Sequence, residues 1–451
     1  MSLKFELDFR KIFNSLKLKN LFSKLNFSHL FYTAILVHLS VMPFPMDGFV
    51  FDEVHYIKAA RETLLGHAAN AEHPPLAKFL YAGSIGIFGD WWLSWRIVPL
   101  VCAVIALPIF YLIARKFMTP RKAMLVSAFL LFDTLFFVNT SIAILDGPAI
   151  LFALIGVERF LSKKWKTSGA MFAVGVLMKE TALFIMIPVL LWFGIQKVRK
   201  SSILKKANWK TLGTFALMFL VVVFGVLQAY DTVYKPSTGT TVQVAVQANV
   251  IVDGETHLPI STTTTTVTNT ISSPIENPIG HIQFMVAYFS GLVPSINAQG
   301  LDYRPPWGWI LPAEGTFNPP PYLVVVTKVG DVSRTAINWV SQVSPAIAFM
   351  YIPIVAVALW LVIKKHDLQL PLFVLSWSLV AYVPWLVLGS FVQRMTFNYY
   401  FIYTIPALCL GIPMFWDAMP INRNAKHIAL AVQFAIVLVT FALTYPVVLP
   451  H

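Results

Sequence analysis

The chain has 451 residues, of which 57% are hydrophobic and 12% charged, and its mean hydropathy is +0.69. A soluble domain carries roughly a quarter charged residues, so this composition excludes an ordinary soluble protein and fits a polytopic membrane protein. The net charge of +13 does not point to nucleic acid, because about 24 of the Lys and Arg side chains fall in the N-terminal arm or in loops on one side, the pattern of the positive-inside rule.

Residues 1–28 alternate Lys and Arg with Leu and Phe, which suits a basic amphipathic arm on the cytoplasmic surface rather than a signal peptide. A first span of roughly His29–Phe44 follows and makes the next loop, 45–90, external. Within that loop, Glu53–Leu65 has the pattern of an interfacial helix, and Pro74-Pro75 opens a second one. Trp91 and Trp92 mark the aromatic belt before a second span that ends at Arg115-Lys116. Two hairpins follow, with polar residues at their tips: Asp133, Asn139-Thr140-Ser141 and Asp146 in one, Lys179-Glu180-Thr181 in the other. Such tips are tolerated only where protein or water covers them. A seventh span, about 212–229, leads to a long external region, 231–343, with a β-like stretch at Thr241–Val252 and a threonine-rich run at Thr262–Thr266. A C-terminal module, 344–451, supplies four more spans, giving about eleven in all with the N-terminus cytoplasmic. Residues 29–230 form the main transmembrane module. Cys102 and Cys409 lie in apolar stretches and provide neither a disulfide framework nor a metal spacing.

The unusual ionisable residues gather on the external side: Asp52, Glu53, His55, His73, Lys78, Arg96, Asp146, Lys179, Glu180 and Arg394. Ionisable groups at a membrane are costly, so a cluster of them is a functional-site hypothesis. Acids and cations on one face suit a polyprenyl-phosphate sugar, whose tail dissolves in the bilayer while its phosphate and sugar stand at the surface. Displacing the phosphate calls for cations and no general acid, and the attacking hydroxyl calls for a carboxylate base. Neighbouring side chains diverge, so only one of Asp52 and Glu53 is expected at the reacting centre, and capping of the interfacial helix is an equal reading for the pair. For His73, a helix cap, a sugar contact and a metal ligand all stay open. Asp133 and Asp146 are expected to bind backbone groups or a cation. Lys179 suits a lipid phosphate, with a local pair to Glu180 as the plainer alternative.

These residues resemble the dolichyl-phosphate-mannose–protein O-mannosyltransferases and their prokaryotic relatives. The resemblance rests on Phe51-Asp52-Glu53-x-His55, His73-Pro74-Pro75-Leu76-x-Lys78, Arg96-x-x-Pro99, Leu145-Asp146, Lys179, Pro306-Trp307-Gly308-Trp309 and Arg394-x-x-Phe397-x-Tyr399-Tyr400. It implies an all-α, polytopic GT-C glycosyltransferase fold and an inverting transfer of mannose from a polyprenyl phosphate to Ser/Thr hydroxyls of exported proteins. It also implies Asp52 as base, aided by Glu53. Arg96, Lys179, Arg394, His73 and Lys78 are expected around the donor phosphate, and Asp146, His55 and Trp307 support the site. No cofactor is required by this chemistry and no metal site is assigned, although a divalent cation is compatible with it. The expected setting is the cell membrane, multi-pass, with the site outside. The chain departs from the family at Ser141, where an Arg is common, and at Glu180, where a Trp follows the membrane lysine. A lipid-directed enzyme of the aminoarabinose-transferase kind and a transporter are the competing readings. The sequence leaves the oligomeric state open.

Overall fold

A computed structural model describes residues 26–46, 48–198, 209–245, 249–252, 259–263, 266–292, 306–310, 327–329, 332–334, 336–337, 339–364, 369–446 and 448–449. The basic arm, apart from its last residues, and the Tyr303-Arg304-Pro305 part of the Pro/Trp stretch lie outside them.

Among the described residues the fold is mainly helical. Helix α1 (Phe27–Val41) is followed by α2 (Glu53–Leu64) and α3 (Leu76–Phe88), then α4 (Trp92–Ala114). Both interfacial helices thus fall where the sequence placed them. Pro99 and Pro108 lie inside α4 without ending it, as apolar membrane helices tolerate. The first hairpin is α5 (Pro120–Leu131), α6 (Thr134–Ser141) and α7 (Asp146–Leu161), with α5 and α6 bent by 65° at their junction. Asp133 explains the bend. One of its carboxylate oxygens caps α6 by accepting from the Phe136 amide at 2.9 Å, and the other accepts from the Ser344 amide at 2.9 Å. It binds backbone groups, as one of the sequence readings held.

The second hairpin is α8 (Trp165–Met178), a 3-10 turn at Glu180–Ala182, and α9 (Leu183–Val198). Helix α10 (Trp209–Tyr234) packs on α8, and α8 on α7. These approaches are close because small residues face them. A Cβ on Gly169 would stand 2.3 Å from the Phe215 carbonyl oxygen, and one on Gly175 would stand 3.1 Å from the Ala153 nitrogen.

In the 231–343 region, β1 (Ser237–Ala245) pairs antiparallel with β4 (Thr266–Pro274), and β2 (Asn249–Val252) with β3 (Pro259–Thr263). The β-like stretch is therefore a real ladder, so the chain is not wholly α-helical. Helix α11 (Pro278–Ser290) and a 3-10 turn at Pro306–Trp309 follow, and then the short strands β5 (Thr327–Val329), β6 (Val332–Arg334) and β7 (Ala336–Ile337). The C-terminal module contains α12 (Pro345–Ala348), α13 (Tyr351–Ile363), α14 (Gln369–Ser390), a 3-10 stretch at Asn398–Tyr403, α15 (Ile405–Ala418) and α16 (Arg423–Thr444). Strand β8 (Val448–Leu449) closes it against β7.

Among the described residues, six helices are long and apolar enough to cross a membrane, or seven if the bent α5–α6 pair is one span. Helix α1 and α15 are apolar but shorter, at 15 and 14 residues. By length and composition the described residues thus make a multi-pass protein with six or seven clear spans.

Candidate active site

Glu53 and Arg96 come together, but not where a substrate reaches them. Both are 0% exposed. Arg96 Nε and Nη2 donate to the two Glu53 oxygens at 2.9 and 2.7 Å. Its other hydrogens go to the carbonyls of Met42, Pro45 and Gly48. Glu53 also accepts from the amides of Val50 and Ala143, each at 2.8 Å. The five donors of the guanidinium are all used. Arg96, expected at the donor phosphate, and Glu53, expected beside the base, instead tie α4, the start of the 45–90 loop and the tip of the first hairpin into one buried knot.

Asp52 is the opposite case. It occupies the N-cap position of α2, yet its side chain makes no capping bond. Among the described residues its carboxylate accepts no hydrogen bond, which removes capping as its task. Phe51, just before it, holds φ at +53°, a region that bulky residues rarely adopt, with its ring edge-on to Tyr399 at 5.5 Å. Burial pushes the Asp52 carboxyl above the usual carboxylate range, and the positive charge of Lys179 is the largest influence in the other direction. His55 and His73 act in the same sense as Lys179. His55 itself is exposed.

Lys179 sits at the break between α8 and the 3-10 turn and is 3% exposed. Its ammonium donates to Asp146 Oδ2 at 2.7 Å, not to Glu180, and lies 4.9 Å from the Tyr399 ring centre. Tyr403 donates to the other Asp146 oxygen at 2.9 Å, and Thr181 donates to the Tyr403 hydroxyl. Asp146 therefore orients the lysine from a network spanning both hairpins and the late 3-10 stretch. Tyr403 was missed in the sequence. The only signal was its position, three residues past the Tyr399-Tyr400 pair.

Glu180 turns to His73 instead, with 3.5 Å between Oε2 and Nδ1. The His73 ring stands edge-on to Tyr56 and Tyr288. Lys78 is 2% exposed and donates to the carbonyls of Ala69, Asn70 and His73. It staples the turn that carries His73 rather than reaching out for a phosphate, and burial pulls its pKa down to about 7.

Arg394 is 2% exposed. Its Nε donates to the Phe289 carbonyl at 2.7 Å, Nη1 donates to the Met395 carbonyl at 3.0 Å, and the guanidinium lies 3.8 Å from the Phe289 ring centre. Nη2 is buried with no hydrogen-bond partner among the described residues. A buried guanidinium with a free donor is a ready anion contact. Trp307 lies in the 3-10 turn and is 47% exposed. Among the described residues no three His, Cys, Asp or Glu side chains converge to hold a metal ion.

The fold has solved counterparts. The chain superposes on the Saccharomyces cerevisiae protein O-mannosyltransferase Pmt1-Pmt2 complex bound to the sugar donor with a TM-score of 0.62 and 12% identity, covering 92% of this chain and 88% of that one. It also superposes on ArnT from Cupriavidus metallidurans bound to undecaprenyl phosphate, with a TM-score of 0.50 and 14% identity, covering 92% and 71%. The fold is that of the GT-C membrane glycosyltransferases.

Residues 72–226 match the family model described as dolichyl-phosphate-mannose-protein mannosyltransferase. Over 460 aligned positions the chain is 22% identical to the polyprenol-phosphate-mannose–protein mannosyltransferase of Mycolicibacterium smegmatis, covering 88% of this chain and 83% of that protein. Over these segments the chain is similar to the family that its motifs resemble. The matched segment holds His73, Lys78, Arg96, Asp146 and Lys179, while Asp52 and Arg394 lie outside it.

Proposed function

We propose that the protein is an inverting glycosyltransferase that moves mannose from a polyprenyl phosphate to Ser/Thr hydroxyls of exported proteins, with no cofactor required. The observation that carries the reading is the Asp52 carboxylate. It accepts no hydrogen bond from the described residues, is raised in pKa by burial, and faces the charge of Lys179. Such a group is a competent general base at neutral pH. The acceptor oxygen attacks C1 of the sugar while Asp52 takes its proton. The bond from C1 to the phosphate oxygen breaks, and its electron pair leaves with the phosphate. Lys179 and the free Nη2 of Arg394 stabilise that anion, and His73 with Glu180 lines the same end. Glu53 and Arg96 serve by holding the loop that presents Asp52. Supporting this, the yeast relative was solved with its sugar donor and the Cupriavidus one with a polyprenyl phosphate. The proposed setting is the cell membrane, with about eleven spans, the N-terminus cytoplasmic and the site external.

The test is transfer of labelled mannose from polyprenyl-phosphate mannose to a Ser/Thr-rich peptide by purified protein. Asp52→Asn should cut kcat by about two orders of magnitude or more with donor binding retained. Transfer that survives the substitution removes Asp52 from its role. Label that reaches lipid but never peptide assigns the chain to the lipid-directed class.

A further inference from the structure

A second ionisable pair takes no part in the chemistry above. His281, in the first turn of α11, is 0% exposed, and Asp231, near the end of α10, is 4% exposed. His281 Nδ1 lies 2.6 Å from Asp231 Oδ1, and its Nε2 lies 3.0 Å from the carbonyl oxygen of Ala71. A carbonyl only accepts, so Nε2 carries a hydrogen. Nδ1 and Oδ1 then need one more proton between them. Without it, an imidazole lone pair would face a carboxylate at hydrogen-bond distance in a buried site. The pair therefore holds one shared proton, whichever of the two atoms carries it.

The clasp closes on two parts of the site at once. Ala71 belongs to the turn that carries His73, and Lys78 holds three further carbonyls of that turn. At the other end of α11, Tyr288 stands against His73, and Phe289 holds Arg394 with its carbonyl and its ring. We propose that Asp231 and His281 are positioning residues, whose shared proton locks the 69–73 turn and α11 in the arrangement that sets His73 and Arg394 toward the substrate. The geometry stands alone; the catalytic consequence rests on the transferase reading.

Among the described residues, the Tyr230 ring stands against His281 with Tyr234 stacked on it, and the charges of Asp231 and Glu72 both reach Tyr230. Removing the shared proton sets an imidazole lone pair against a carboxylate, so deprotonation opens the lock.

Asp231→Asn separates this role from a merely structural one. The carboxamide N–H donates to a neutral Nδ1 while Nε2–H keeps Ala71, so the clasp survives with nothing to titrate. Transfer by Asp231→Asn should stay within about threefold of wild type at neutral pH and lose the clasp's contribution to the alkaline limb, whereas His281→Ala should lower kcat about tenfold or more. Amide hydrogen exchange on the full-length protein supplies the second readout. Protection factors over 69–73 and 278–290 should fall at high pH in wild type, stay level in Asp231→Asn, and be low throughout in His281→Ala. An alkaline limb in Asp231→Asn identical to that of wild type, or wild-type protection in His281→Ala, overturns the proposal. The expected exchange pattern in a protein that transfers no sugar would leave the clasp standing and sink the transferase reading.

Discussion

Asp52 and Glu53 are adjacent carboxylates with opposite surroundings, and their substitutions should fail in different ways. Glu53 is saturated by Arg96 and two backbone amides. Glu53→Ala leaves the Arg96 guanidinium buried without its counter-ion, which should cost about 3–5 kcal/mol. The expected outcome is a large fall in Tm of the detergent-solubilised protein, with loss of activity following from the loss of fold. Wild-type Tm in that variant would show that the knot is not structural. Asp52 is the reverse. A carboxyl raised above its unfolded pKa contributes stability that is present below the unfolded pKa and lost as the pH rises through the folded one. At pH 7 its charge is therefore a liability to the fold, and Asp52→Asn should keep or raise Tm while removing transfer. In wild type the acid limb of kcat should lie above the usual carboxylate range, because burial holds the base in its protonated form to higher pH. The sequence argument that neighbours diverge holds for their surroundings, since one carboxylate is saturated and the other makes no capping bond. Which partners each carboxylate would meet was not legible, since Arg96 lies 43 residues from Glu53 and Ala143 lies 90 away.

At the scale of elements, the interfacial helices and hairpin tips were readable because capping, proline and polar interruptions act locally. Asp133 is the example: a carboxylate before an apolar run is a cap, and it caps α6. Its second bond, to Ser344 in the C-terminal module, carries no local signal. The same holds for the close approach of α8 to α10. Gly169→Ala would drive a methyl group into the Phe215 backbone, a contact no side-chain rotation relieves. It should destabilise by roughly 1–3 kcal/mol, measurable as a lower Tm in detergent. A neutral result would mean that α10 slides on α8 at little cost.

For the whole molecule, the proposed topology makes a direct prediction. A cysteine at Trp307 should react with a membrane-impermeant maleimide added to intact cells. One at Lys163, in the loop between α7 and α8, should react only after permeabilisation. The reverse pattern would invert the orientation. Cys102 and Cys409 are buried and should contribute little background. Multi-pass character and the positions of the polar interruptions followed from the linear chain, because hydropathy and helix breaking are properties of short segments. The motifs added the family resemblance. The assignment of partners belonged to tertiary structure alone. Lys179 takes Asp146 rather than the adjacent Glu180, Tyr403 completes that network from more than two hundred residues away, and His281 closes on Ala71 and Asp231. Buried charges must find counter-charges and donors wherever packing places them, and that choice depends on helix–helix geometry that no short window of sequence contains.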